Sequence, residues 1–333
     1  MNQRPPGSGL LLSSAIEGFL QYKTAEAVSP RTIECYKRDL NHWLAYAGDV
    51  PINQLTTEKI RAYLAWLRTE YKPRRIMGDN TLPLSPKTLR NIYVTLSSFF
   101  TWAQDEFQMQ HPMRSIPAPK FQKKPVDVFS KDDIEALLKA CDYMHEAQTT
   151  TTRKYTMRRS TAKRDRAILL ILLDTGLRAS ELCSLKIGDV DTAMGKVEVK
   201  HGVPGGAKGG KGRTVFLGKV TRRAVWRYLA DREDRKDLNA PLILGKFGRP
   251  MNRDGLRQLI DGLGERANIK KCYPHRFRHT FAITYLRSGG DVFTLQALLG
   301  HGSLDMVQHY ARIAEVDVEM AHRRASPADN WRL

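Results

Sequence analysis

GGAKGGKGR, residues 205–213, decides the fold. Gly205, Gly210 and Lys211 satisfy most of G-x-x-x-x-G-K-[ST], the loop that cradles nucleotide phosphates, but Gly212 stands where a hydroxyl must hold magnesium. The flanking stretches KVEVK (196–200) and TVFL (214–217) both read as strands. A nucleotide loop joins a strand to a helix, whereas this glycine run joins strand to strand as a long hairpin turn. That removes an NTP-driven α/β enzyme and leaves a mainly α chain with a small antiparallel sheet, whose turn offers Lys208 and Lys211 to a phosphate.

Composition names the class of partner. Lys and Arg number 54 against 35 Asp and Glu, a formal charge of +19 over 333 residues, which attracts polyanions such as nucleic acid or an anionic membrane. The longest purely apolar run, 167–173, is far too short to span a bilayer, and MNQRPPGSGLLL has no signal-peptide core. Nucleic acid is therefore the expected partner, with no membrane. Cys35, Cys141, Cys183 and Cys272 show no paired spacing. They read as small buried hydrophobes in a reducing compartment, with neither zinc nor disulfide.

Hydrophobic periodicity divides the chain. Residues 1–10 are expected to be a flexible terminus, 11–110 a helical DNA-binding domain, 111–128 an extended linker broken by prolines, and 129–333 a second, mixed domain. In the first domain Ser29-Pro30 and Ser85-Pro86 are helix starts, with Ser as cap and Pro in the first turn. Apolar stripes follow at Ile33, Tyr36, Leu40 and Trp43, at Ile60, Leu64 and Leu67, and from Leu89 to Ala103. Four helices result, with Arg31, Lys37, Arg38, Lys87 and Arg90 outward, either as an ordinary solvated face or as a DNA surface; the overall charge favours DNA.

In the second domain Ser130 caps a helix, 153–166 is a basic loop, and further helices are expected at 168–173, 221–231, 256–267, 275–287, 292–299 and 303–310. Four features here belong together chemically: Thr175-Gly176-Leu177-Arg178 with Glu181 after it, the lysine hairpin, HRFRH at 275–279, and Leu299-Gly300-His301 followed nine positions later by Tyr310. Each has a duller alternative. Arg178 alone reads as a helix-end surface charge and Tyr310 as a half-buried core residue. His275 and His279 have zinc-ligand spacing without the Glu of H-E-x-x-H, and Lys208 and Lys211 can be plain phosphate contacts.

Taken in order, TGLRASEL (175–182), KGGKGR (208–213), HRFRHTFA (275–282) and LLGH (298–301) with Tyr310 resemble the motifs of the tyrosine recombinases, the phage-integrase and Xer-type site-specific recombinases. The resemblance implies a four-helix, SAM-like core-binding domain followed by a mixed α/β catalytic domain. It implies Arg178, Lys208, His275, Arg278, His301 and Tyr310 as the catalytic set, Glu181 and His279 in support, and Lys211 and Arg213 on DNA. It implies cleavage and rejoining of DNA through a 3′-phosphotyrosyl intermediate, with no cofactor or metal. The partners it implies are double-stranded DNA recombination sites, further copies in a tetrameric synapse, and accessory DNA-bending proteins, in the cytoplasm at the nucleoid. A type IB topoisomerase and a non-catalytic DNA-binding regulator remain as alternatives. The chain departs from the family in Phe277 where Leu is common, in Gly302, Leu304 and Asp305 after the LGH motif, and in its long basic loop. The C-terminal stripe of Ile313, Val316 and Met320 is expected to dock either on a neighbouring copy or on its own domain.

Overall fold

The computed structural model describes residues 9–74, 79–122, 126–143, 157–200 and 212–300, together with 307, 310, 311 and 326. The chain forms two compact units, Met1–Lys124 and Pro125–Leu333. The first consists of α1 (Leu12–Ala25), α2 (Pro30–Ala47), α3 (Thr57–Thr69) and α4 (Pro86–Phe107). The Ser-Pro starts act as their chemistry requires. Ser29 Oγ accepts from Thr32 N at 3.2 Å and Ser85 Oγ from Thr88 N at 3.1 Å, so each cap satisfies a backbone donor that the helix leaves unpaired.

The apolar stripes meet in one core containing Phe19, Leu40, Trp43, Leu67, Phe99 and Phe100. Ile33, Tyr36, Leu64 and Tyr93 are half-buried at its rim. Two inward polar groups escape a periodicity reading. Asp39 is buried and accepts from Thr95 Oγ1 at 3.1 Å and from Arg38, and the Tyr63 hydroxyl lies 2.7 Å from His42 Nδ1. Part of the expected linker belongs to this unit, since Met113 and Ile116 are buried in its core. Arg90, expected on DNA, is half-buried, donates to the Pro119 carbonyl at 3.1 Å and lies over the Phe121 ring.

The second unit contains α5 (Lys131–Asp142), α6 (Ala162–Thr175), α7 (Ala179–Ser184), α8 (Lys219–Ala230), α9 (Arg253–Arg266), α10 (Pro274–Arg287) and α11 (Val292–Leu299). Its sheet runs β1 (Val190–Asp191), β2 (Lys196–Val199), β3 (Arg213–Phe216) in that order, antiparallel throughout, with Val197 opposite Val215. The glycine run thus links paired antiparallel strands, although residues 201–211, Lys208 and Lys211 among them, lie outside the described residues. The two-residue β1 is too short to show alternation in the sequence.

The basic stretch 153–166 is not a loop throughout, because α6 begins at Ala162. Arg159 and Arg164, both half-buried, are tied to the fully buried Asp165 at 2.5 and 2.8 Å, so these two cations neutralise a buried carboxylate. Two of the four cysteines, Cys141 and Cys272, are buried, and burial pushes both thiols up to about 12. Cys35 and Cys183 are only half-buried. Of the expected helix at 303–310, Val307 and Tyr310 are described, both helical, as is Ala311 just beyond it.

Helix α6 is buried along most of its length and packs against α5, α8 and α10. Behind α10 a second fixture holds the helix. Arg276 lies 4.0 Å over the Phe129 ring, donates to the Val128 carbonyl at 2.9 Å and to the Lys270 carbonyl at 3.0 Å, and pairs with Asp127 at 3.2 Å. Phe129 N donates to Thr280 Oγ1 at 2.9 Å, and the Phe129 ring packs on Phe277 at 4.6 Å, which gives the unusual Phe277 a partner. Replacing Arg276 with Ala removes the ring stacking, both carbonyl bonds and the ion pair at once. A loss of stability of about 2 kcal/mol or more is expected, read as a lower midpoint in thermal denaturation of the full chain; an unchanged midpoint contradicts the role given to Arg276.

Candidate active site

Gly176 is where the site begins. It ends α6 in the left-handed region, φ +61°, and a Cβ there would lie 2.5 Å from Phe281 Cδ1 and 2.9 Å from Leu299 Cδ2. Glycine alone fits both the conformation and the space. The sharp exit brings Arg178 to the start of α7 two residues later.

From α10, Arg278 reaches back to this corner. It donates to the Gly176 carbonyl and to the Leu299 carbonyl, each at 2.8 Å. These oxygens sit at the C-terminal ends of α6 and α11, where helix carbonyls lack partners and the helix dipole is negative. Burial, then the positive charge of Arg178, lowers the Arg278 guanidinium to about 10, so it stays protonated at neutral pH.

Glu181 organises the arginines. Its carboxylate is fully buried and accepts from Arg178 N at 2.8 Å, from Arg178 Nη1 at 2.7 Å, and from Arg213 Nη1 and Nη2 at 3.0 and 2.8 Å. Burial raises its pKa, but the paired donation from Arg213 and the Arg178 bonds outweigh burial and bring it to about 2. Arg213 also donates through Nε to the Leu298 carbonyl at 2.6 Å, and its side chain is 8 % exposed. Expected on DNA, Arg213 is instead turned inward. It ties the base of the hairpin to Glu181 and to the end of α11.

His275, Arg278 and His279 share one side of α10, as their spacing demands. The two imidazoles meet edge to face at 4.4 Å, and His279 Nδ1 shares a hydrogen bond of 2.8 Å with the Tyr310 hydroxyl. His279, expected only in support, is thus the histidine in contact with the phenol. Tyr310 is 1 % exposed. Burial raises its pKa above 10.0 against the opposing pull of Arg278 and Arg178. His275 lies at the exposed rim. Desolvation by the surrounding chain, then the neighbouring His279, Arg278 and Arg178, lower it to about 4, so it is neutral at pH 7. Arg178, Glu181, Arg278, His275, His279 and Tyr310 therefore converge, whereas Lys208, Lys211 and His301 lie outside the described residues. Among the described residues no three His, Cys, Asp or Glu side chains gather as metal ligands would.

On the first unit Arg31 is exposed and pairs with Glu34 at 3.0 Å, Arg38 pairs with Asp39 at 2.8 Å, and Lys37 and Lys87 are exposed. Among the described residues no helix is long and apolar enough to cross a membrane.

Comparison with known proteins agrees with this geometry. The model of the phage integrase family matches residues 127–316, and that of the phage integrase N-terminal SAM-like domain matches 16–108. The chain belongs to the phage integrase family of tyrosine recombinases. It is 30 % identical to tyrosine recombinase XerD of Listeria monocytogenes over 95 % of this chain and 99 % of that protein. It is 28 % identical to tyrosine recombinase XerD of Staphylococcus haemolyticus, over 95 % and 99 %. In fold it is similar to XerH site-specific recombinase bound to palindromic difH substrate (TM-score 0.71, 18 % identity, 98 % of this chain and 100 % of that one). It is also similar to the Tn1549 transposon integrase in complex with a circular intermediate DNA (TM-score 0.68, 20 % identity, 89 % and 94 %).

The Glu181 clamp has a pH signature. Its carboxylate titrates at 4.5 when unfolded and near 2 when folded, so its contribution is complete above pH 4.5 and lost as pH falls toward 2. That difference corresponds to about 3 kcal/mol. In thermal melts across this window, Glu181→Gln is expected to start less stable at neutral pH and to lose less on acidification than the parent. Parallel curves for the two proteins contradict the clamp.

Proposed function

We propose that this chain is a site-specific DNA recombinase that cleaves and rejoins strands through a phosphotyrosine. The observation that carries the reading is the Tyr310 hydroxyl, held by His279 beside the buried Arg278 and the half-buried Arg178. Family membership and the XerD relatives support it. Attack of the Tyr310 oxygen on the scissile phosphorus forms a 3′-phosphotyrosyl bond and breaks the bond to the 5′ oxygen. The bond energy is retained in the phosphotyrosine, so the released 5′ hydroxyl can attack it later and restore a diester without ATP.

Each group has a role by its chemistry. Arg178 and Arg278 supply forked donors to the nonbridging oxygens and offset the charge that gathers in the pentavalent state. His275, neutral above about pH 4, can accept the phenolic proton. Lys208 donates a proton to the leaving 5′ oxygen, and His301 donates to a phosphoryl oxygen. Lys211, Lys37 and Lys87, with Arg31 and Arg38, contact DNA phosphates and position the duplex. Four copies on two sites exchange strands, assisted by DNA-bending proteins, in the cytoplasm at the nucleoid. The described contacts give no support to a binding protein that has lost catalysis, since nucleophile and arginines meet in one cluster.

The test is a nicked suicide substrate drawn from a genomic library. Covalent protein–DNA adduct is expected with the parent chain and is expected to vanish with Tyr310→Phe. An adduct that persists in that variant removes Tyr310 from the role. Separately, Lys208→Ala is expected to suppress cleavage, and a 5′-phosphorothiolate, which leaves without a proton, to restore it. Failure of the rescue reassigns the acid.

A further inference from the structure

The outer face of α8 has no part in the active site, yet it carries a row of cations. Lys219, Arg223 and Arg227 recur every four residues and are all exposed. A row at that spacing spans about 12 Å of helix. None of the three has a carboxylate partner among the described residues. The acids nearest the row are already engaged: Asp231 pairs with Lys163 at 2.6 Å, Asp142 with Arg166 at 3.6 Å, and Asp174 accepts from Gly218 N at 2.5 Å.

The shape matches the charge. A groove of about 910 Å³ runs along one flank of the row, between α8 and the N-terminal half of α6. A second of about 800 Å³ lies on the other flank, and Lys219, Arg223 and Arg227 line both. Beside the second groove Trp226 is 62 % exposed, an amphipathic ring left in water. Arg222 holds the groove wall by donating to the Thr192 and Ala193 carbonyls. The ridge begins at Gly218, bonded to Asp174 four residues before Arg178, and runs toward Asp231, away from the active-site corner.

We propose that this ridge is a second nucleic-acid contact, binding the phosphate backbone of DNA beyond the strand at the active site. The inference rests on the DNA-recombinase reading and extends it. An acidic protein surface would satisfy the charge alone. The regular cationic row between two grooves, with an exposed indole beside it, favours a repeating polyanion that has a sugar face to set against the ring.

The test compares salt dependence of binding to random-sequence duplex DNA. Neutralising the three cations together in K219Q/R223Q/R227Q should flatten the slope of log K against log salt by about 2 to 3. A control, K131Q/K139Q/K270Q, removes the same charge elsewhere and should leave the slope near that of the parent. Trp226→Phe should delete the part of the DNA-induced change in tryptophan emission that comes from the ridge. A slope unchanged in the ridge variant, or flattened equally by the control, overturns the proposal and leaves the ridge to a protein partner or to solvent. Suicide-substrate adduct at low salt separates the two readings. Adduct formed by the ridge variant with an unchanged slope sinks only the ridge, whereas absence of adduct with the parent chain sinks the recombinase assignment itself.

Discussion

The site depends on one buried negative charge. An uncompensated carboxylate in a protein interior is costly, and Glu181 is held there only because two guanidiniums from distant parts of the chain close on it. Those guanidiniums belong to Arg178, at the exit from α6, and Arg213, at the foot of the lysine hairpin. Sharing an acid forces the two segments into a fixed relation. Arg213 extends the constraint to the end of α11 through the Leu298 carbonyl, three residues before His301. Three of the four motifs, far apart in sequence, are therefore joined through a side chain that need not touch DNA.

Arg278 solves a different problem with the same chemistry. Two helices end at this corner, and their last carbonyls point toward the space between them. A single buried guanidinium satisfies one acceptor from each, so Arg278 caps α6 and α11 together. This double cap explains why so large a charged side chain is buried. It also explains why Gly176 must be glycine, since any Cβ would push Phe281 and Leu299 away from the corner that Arg278 joins.

The helical frame was legible because its signals are local. Ser-Pro starts, amphipathic stripes and strand-flanked glycines each report on a few neighbouring residues, and α2, α4 and the β2–β3 pairing follow from them. What stayed hidden was long-range polar pairing. A buried Asp39 or Asp165 looks like any surface acid until its partners, Thr95 or Arg159 and Arg164, are placed beside it. The intramolecular partners of Arg213 and Arg90 were hidden in the same way, because an arginine's direction depends on acceptors that sequence spacing does not reveal. The candidate site was legible as a set of residues through motif order, but the partition of work between His275 and His279 needed the position of the Tyr310 ring.

That partition bears on how the nucleophile is kept at rest. Arg178 and Arg278 pull the Tyr310 pKa down, yet burial outweighs them and the phenol stays protonated on its bond to His279. A phosphate arriving at the same arginines adds negative charge and makes the phenol harder still to ionise. Electrostatics alone therefore cannot generate the phenolate at the moment of attack, and a neutral base must take the proton as the bond to phosphorus forms. His275 is kept neutral first by desolvation and then by the charge of Arg278 and Arg178, and His279 is already on the hydroxyl. The arginines beside Tyr310 thus add to desolvation in keeping the adjacent imidazole neutral, and the phenol and the imidazole answer to one local field.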